Sequence, residues 1–351
     1  MRSSRTIGFV AAVLLCSPCI AGDGWIDTHV HVKPPMGARA AGENPFAAAA
    51  QALIDKMDAN GVETSLVMPP PRGSEDQRAL PEEQMAAIVA RHKGRLFFVG
   101  GGTSLNCTIH EADPSKVTKE VRATFEREAE RLVKAGTKAF GEMCALHFAL
   151  GPEHPFEETP PDHPLFLALA DLAAKHDIPI DLHIEVVPED METPDFLQRA
   201  SDKNPKRLEA NVERFEKLLA HNRKARIVWQ HVGWDNSGKQ TPELVRGLLE
   251  RNPNLFAAIH GVSEPKLTKL GRPGETLLND EGGTLQPGWK KVIAEFPDRF
   301  LIGSDQFFGP DGYAERMPNN YDPTWAVLKQ LSAGLAKKVG RENAARVYGL
   351  E

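Results

Sequence analysis

The 351-residue chain carries 42 Lys and Arg against 48 Asp and Glu, a formal charge of −6, with 41% hydrophobic and 26% charged residues. These ordinary globular proportions exclude a disordered chain, collagen and a multi-pass membrane protein, and the acid excess argues against a nucleic-acid binder, because phosphate neutralisation needs clustered positive charge. Four cysteines are too few for a disulfide scaffold, and the length suits two domains or one large barrel.

Arg2 and Arg5 precede an apolar run, Ile7 to Leu15, that is too short to span a bilayer, and Ala21 offers a small residue for cleavage. Residues 1–21 therefore read as an export signal and 22–351 as the mature domain. The expected location is periplasmic or secreted, with no stable membrane insertion after cleavage. Without the two arginines of that segment, 40 basic residues face 48 acidic ones, or −8. Cys107 and Cys144 are then the only cysteines in an oxidising compartment, where they either pair or stay buried as thiols.

From Trp25 onward, short apolar runs alternate with amphipathic segments, the α/β pattern. The runs predict strands at Trp25–Val32, Glu63–Met68, Leu96–Gly100, Thr137–Cys144, Ile178–Glu185, Arg226–Gly233, Asn254–Gly261 and Phe300–Gln306. Helices are predicted between and after them at Asn44–Asn60, Pro81–His92, Ser115–Ala135, Pro164–Lys175, Asn204–Lys224, Thr241–Asn252, Pro287–Phe296 and Pro323–Leu335. Gly61, Gly94 and Gly136 act as C-terminal stops, and Pro81 and Pro164 open two helices. Eight strand–helix units predict a single-domain (β/α)8 barrel. Such a barrel needs about 250 residues, so the surplus falls in six loops after strands: 69–80, 101–114, 145–163, 186–203, 262–286 and 307–320. All six gather at the C-terminal rim, where this architecture places its chemistry.

Strand alternation puts His29 and His31 of the first run on one side, with Val30 on the other, so two imidazoles can hold one metal ion. Each of three later runs is broken by one metal-competent side chain: His183 in Asp-Leu-His-Ile-Glu, His231 in Val-Trp-Gln-His-Val-Gly, and Asp305 in Leu-Ile-Gly-Ser-Asp. Buried imidazoles and carboxylates are costly without a partner, and a divalent cation is one.

This order and spacing, together with the closing segment Arg341-Glu-Asn-Ala-Ala-Arg-Val-Tyr348, resembles the amidohydrolase superfamily, in particular its amidohydrolase-related branch, with some features of TatD-like hydrolases. The resemblance implies that His29, His31, His183, His231 and Asp305 form a metal site. The fourth strand adds a choice between two candidate bridging residues. Glu142 follows a glycine, as in the TatD-like pattern, and Lys138 shares its parity but lies about 13 Å deeper. Glu142 is therefore the expected ligand and Lys138 structural. After Met143 the chain reads Cys-Ala-Leu-His147 where TatD proteins have glycine-leucine-aspartate, which with the net charge argues against nuclease activity.

The resemblance implies one or two divalent ions, with Zn²⁺ as the default for a His-rich site and Mn²⁺ as the alternative. It implies that the ion activates water, that Asp305 carries its proton, and that His231 or His183 steadies the oxyanion. His147, Glu185, His260, Arg72 and Trp234 are the candidates for contact with substrate, Arg72 as a partner for a carboxylate and Glu185 also as a group that orients a ligand. His92, His176 and His221, at helix C-terminal ends, read as surface residues. Three functions remain: an exported hydrolase of small esters, lactones or amides; a metal-dependent non-oxidative decarboxylase of an aromatic or unsaturated acid; and a non-catalytic periplasmic binding protein. In each the partner is a small molecule, with no nucleic acid, and homo-oligomerisation stays open.

Overall fold

Apolar runs become strands here because a parallel strand covered by a returning helix is buried on both faces. The computed structural model describes residues 24–33, 44, 46–71, 82–261, 274–309 and 319–350; the 1–21 segment and Arg72 lie outside them. The strands are β1 (Trp25–Val32), β2 (Val62–Met68), β3 (Leu96–Phe98), β4 (Gly100–Gly101), β5 (Phe140–His147), β6 (Glu157–Glu158), β7 (Ile180–Ile184), β8 (Met191–Glu192), β9 (Arg207–Leu208), β10 (Ile227–Val232), β11 (Leu255–Ile259), β12 (Phe300–Ile302) and β13 (Gln306–Phe308).

One sheet runs β13-β1-β2-β3 and the other β12-β11-β10-β7-β5-β4, with parallel neighbours throughout both paths. The seams are the third and eighth predicted strands, each found as two pieces instead of one. At the first seam, Val99 N–H donates to Val67 O (2.9 Å) and Lys138 N–H to Phe98 O (2.8 Å). At the second, Gly303 N–H donates to Ile259 O (3.1 Å) and Asp305 N–H to His29 O (2.9 Å). The two sheets are therefore arcs of one (β/α)8 ring. The eighth strand breaks where Asp305 takes a left-handed conformation (φ 50) and Ser304 N–H and Oγ turn inward to Asp27.

Helices cover the ring with one apolar face each. Phe125, Ala129 and Leu132 of the Lys119–Lys134 helix are buried at spacings of four and three, as are Phe215, Leu218 and Leu219 of the Val212–His221 helix. The N-terminal end of the ring is closed by the Asn343–Tyr348 helix, whose Ala344, Val347 and Tyr348 pack with Ile26, Leu66, Val228 and Leu301. Lys138 belongs to this end: its Nζ donates to Gly349 O (3.0 Å). Among the described residues no helix is long and apolar enough to cross a membrane, and Cys107 and Cys144 are free thiols.

Three expectations need correction. The fourth strand runs Phe140–His147, three residues later than predicted, because the antiparallel β6 prolongs its pairing at Leu146↔Glu158 and His147↔Glu157. The helix expected over Asn204–Lys224 begins only at Val212. Pro205 cannot donate within a helix, and Arg207–Leu208 instead pairs with Met191–Glu192. The expected loop after the third strand contains a helix, Ser104–Glu111. Glu82, distant in sequence, accepts from Gly101 N–H (2.9 Å), Thr103 N–H (3.1 Å) and Ser104 Oγ (2.9 Å), which satisfies donors at the start of that helix.

Candidate metal centre

The alternation of β1 delivers His29 and His31 to the interior, each side chain only 1% exposed, with their Nε2 atoms 3.0 Å apart. His31 Nδ1 lies 3.0 Å from Met68 O. A carbonyl only accepts, so Nδ1 carries a hydrogen and Nε2 is the nitrogen that faces the cluster, the orientation a metal-ligating His requires. His29 Nδ1 is buried with no hydrogen-bond partner.

Glu142 stands between two sets of imidazoles. Its Oε2 lies 3.4 Å from His29 Nε2 and 3.5 Å from His31 Nε2. Its Oε1 lies 3.0 Å from His183 Nδ1 and 2.9 Å from His231 Nε2. Asp305 closes the near side, with Oδ1 3.2 Å from His31 Nε2 and 3.7 Å from His29 Nε2, and Oδ2 3.8 Å from His231 Nδ1. Three overlapping groups result: His29, His31 and Glu142; Glu142, His183 and His231; His29, His231 and Asp305. Donors bound at about 2.0–2.2 Å to a tetrahedral ion lie about 3.3–3.6 Å apart. The observed spacings bracket that range, so the donor set fits divalent cations.

Backbone strain aims two of these side chains. His231 (φ 60) and Asp305 (φ 50) hold left-handed conformations that cost non-glycine residues about 1–3 kcal/mol each. Gly102 beside Glu142 is required for space, because a Cβ there would lie 2.7 Å from Pro69 O and 2.9 Å from both Glu142 N and Glu142 O.

Burial pushes the Glu142 carboxyl up, but the charge of His29 and hydrogen bonds from His183, His231 and His29 outweigh it and hold it well below the usual range. For Asp305 burial acts the same way, and His231, His31 and His29 outweigh it, again leaving the group ionised. Burial opposes a charge on His29, yet Glu142 and Asp305 drive its pKa up to about 9. The two carboxylates thus favour a positive charge beside them, which a divalent cation would supply.

Above this cluster lies a cavity of about 630 Å³. Of the predicted ligands, all six (His29, His31, Glu142, His183, His231 and Asp305) converge. Of the predicted substrate contacts, His147, Glu185 and Trp234 line the cavity. Glu185 is held there by the side-chain amides of Asn236 and Gln240, the latter at 2.5 Å. His260 does not line it: β11 ends one residue earlier, and the ring, 2% exposed, packs edge-on to His231 (5.5 Å) and at 5.0 Å from Trp234. Arg72 lies outside the described residues. His92 and His176 are half-buried and His221 exposed, His176 pairing with Glu130 (2.9 Å) and His221 with Asp171 (3.2 Å).

Sequence reasoning missed several lining groups. Lys33 continues the alternation of His29 and His31, a signal that was available; its Nζ sits 4.5 Å over the Phe307 ring, which stacks on His31 at 4.4 Å. His154 and Glu157 arrive with the β5–β6 hairpin, which no local pattern announces. Burial, and then His183 and His154, keep the neighbouring His147 well below its ordinary pKa. His110, Cys144 and Glu157 form a further buried group, in which His110 Nε2 donates to Cys144 O (2.9 Å) and burial, with Glu157, pushes the Cys144 thiol up.

A family model described as "Amidohydrolase" matches residues 26–350. Among solved structures, 4-oxalomesaconate hydratase from Rhodopseudomonas palustris is similar at 15% identity, over 93% of this chain and 96% of that one, with a TM-score of 0.52. IDCase of Metarhizium anisopliae in apo form is similar at 16% identity, over 93% and 97%, with a TM-score of 0.50. At these identities the likeness speaks for the fold alone. No curated protein matches the chain.

Proposed function

The chain belongs to the amidohydrolase family, and from that premise we propose that it is an exported, metal-dependent hydrolase of a small ester, lactone or amide. The observation that carries this reading is the division of Glu142. One carboxylate oxygen faces His29 and His31 and the other faces His183 and His231, which suits two adjacent cations sharing one bridge.

His29, His31 and Asp305 would hold one ion and His183 and His231 the other, with Glu142 between them. Zn²⁺ suits this nitrogen and oxygen set, with Mn²⁺ as the alternative. Such ions supply Lewis acidity to a substrate oxygen and acidify water. Asp305, the most open of the six side chains at 25% exposed, faces the cavity and accepts the proton of the attacking water. As the water oxygen bonds to the carbonyl carbon and the carbon–heteroatom bond breaks, Asp305 returns that proton to the leaving group. Glu185, fixed by two amides, and Trp234 shape the wall that receives the substrate.

Non-oxidative decarboxylation is the second reading, and Lys33 favours it, since a cation in the cavity can grip a carboxylate. The two are separated by assaying protein loaded with Zn²⁺ or Mn²⁺ against lactones, esters, amides and aromatic acids. Acid release from a neutral carbonyl supports hydrolysis, whereas CO₂ release from an aromatic acid with no hydrolysis overturns it.

A further inference from the structure

Among the described residues Leu150 is the one large apolar side chain that is exposed, at 44%, and it lines the cavity. A lone surface leucine is ordinary. This one is not alone: Phe148, Pro152 and Pro155 of the same β5–β6 loop, and Pro70 and Pro71 after β2, line the cavity with it. Phe148 is 1% exposed and packs in a buried cluster with Leu146, Val187 and Leu208, so the strip is the open edge of a packed apolar layer. Glu153 lies in the same loop but is exposed, which keeps its charge hydrated. The strip is also held in place. Asn204 brackets Ala149, accepting from its N–H (2.9 Å) and donating to its carbonyl (2.9 Å), and His154 Nδ1 accepts from Leu150 N–H (3.1 Å). Room remains beside it, since a Cβ at Gly151 would meet nothing within 4 Å. Its place in the ring gives it a direction. β5 is the fourth of the eight strands and Asp305 belongs to the eighth, so Leu150 and the proton carrier follow strands on opposite sides of the ring.

We propose that this strip receives a hydrocarbon chain on the acyl side of the substrate, which makes compounds with an aliphatic acyl chain, in preference to acetyl compounds, the substrate class of this site. The inference rests on the hydrolase reading and deepens it. A leaving group that takes its proton from Asp305 lies on the side of the eighth strand, which sends the acyl chain across the centre towards Leu150. Each methylene moved from water onto apolar surface is favourable by a nearly constant amount, so the strip converts chain length into affinity. Prolines have no rotamers to lose, and a wall already ordered before the chain arrives keeps most of that gain. The exposure of Leu150 is then the part of the wall that the substrate itself covers.

The test uses the full chain loaded with Zn²⁺ and reads a slope against chain length, so each variant is compared with itself. In calorimetry, the Kd values of acetohydroxamate, hexanohydroxamate and octanohydroxamate, whose metal-chelating head group binds without turnover, are expected to fall about twofold to fourfold per added methylene. The slope should flatten in Leu150→Asp and persist in Leu150→Met. A Kd that ignores chain length, or a slope unchanged in Leu150→Asp, overturns the proposal. In kinetics, kcat/KM for p-nitrophenyl octanoate is expected to exceed that for p-nitrophenyl acetate by about 100-fold, with the ratio shrinking in Leu150→Asp; a ratio near one in the unsubstituted protein overturns it as well. If no ester is hydrolysed while the hydroxamates keep their slope, the hydrolase reading falls and the acyl strip stands. If Leu150→Asp leaves the hydroxamate slope intact but turns a dimer into monomers in sedimentation, the strip is an interface between copies and the proposal falls.

Discussion

At the rim of the barrel, Glu142 and Asp305 sit among four imidazoles and stay ionised despite burial. At the sealed end, Asp181 is just as deeply buried, but its Oδ1 meets the Tyr348 hydroxyl at 2.5 Å, and burial pushes its pKa up to about 7. Asp27, held by Ser304, is pushed up to about 6 for the same reason. Burial alone neutralises a carboxyl group; what keeps the rim pair charged is the ring of nitrogen donors. A buried carboxylate held in its charged form by nitrogen donors marks a cation site, and one that burial pushes towards neutrality despite a hydroxyl donor marks structure.

Substitutions at the two ends should therefore separate activity from stability. The largest effect is expected from Asp305→Asn, which removes the proton carrier. Turnover should fall by about 10²–10⁴-fold, with circular dichroism and unfolding midpoint retained; undiminished turnover would remove Asp305 from that role. At the sealed end, Tyr348→Phe should cost about 1–3 kcal/mol in denaturant unfolding, because it leaves Asp181 without its donor, while metal content stays the same. A loss of metal in that variant would dissolve the distinction between the ends. Lys138→Met should do least. Its bond to Gly349 O is exposed, so stability should change by at most about 0.5 kcal/mol. Metal content should not change, whereas loss of an ion would make Lys138 the bridge after all.

Much of the rim was legible in the sequence. His29 and His31 were given away by strand parity, and His183, His231 and Asp305 because each interrupts an apolar run that should otherwise be buried. Glu142 was legible from its glycine neighbour and its distance from Lys138. The remainder depends on contacts between distant segments. The β5–β6 hairpin shifts the fourth strand by three residues and carries His154 and Glu157, which the sequence did not announce, to the cavity. The helix at Ser104–Glu111 depends on the distant Glu82 for the donors at its start. His260 was misplaced because a strand end, one residue away, decides whether a side chain faces the cavity or packs behind it.

The central claim, that Glu142 bridges two cations, is tested most directly by elemental analysis of the protein purified without chelator, beside Glu142→Gln. The account predicts about two equivalents of Zn²⁺ or Mn²⁺ per chain, falling to one or fewer in the variant. About zero equivalents in the unsubstituted protein, or an unchanged count in the variant, would contradict it.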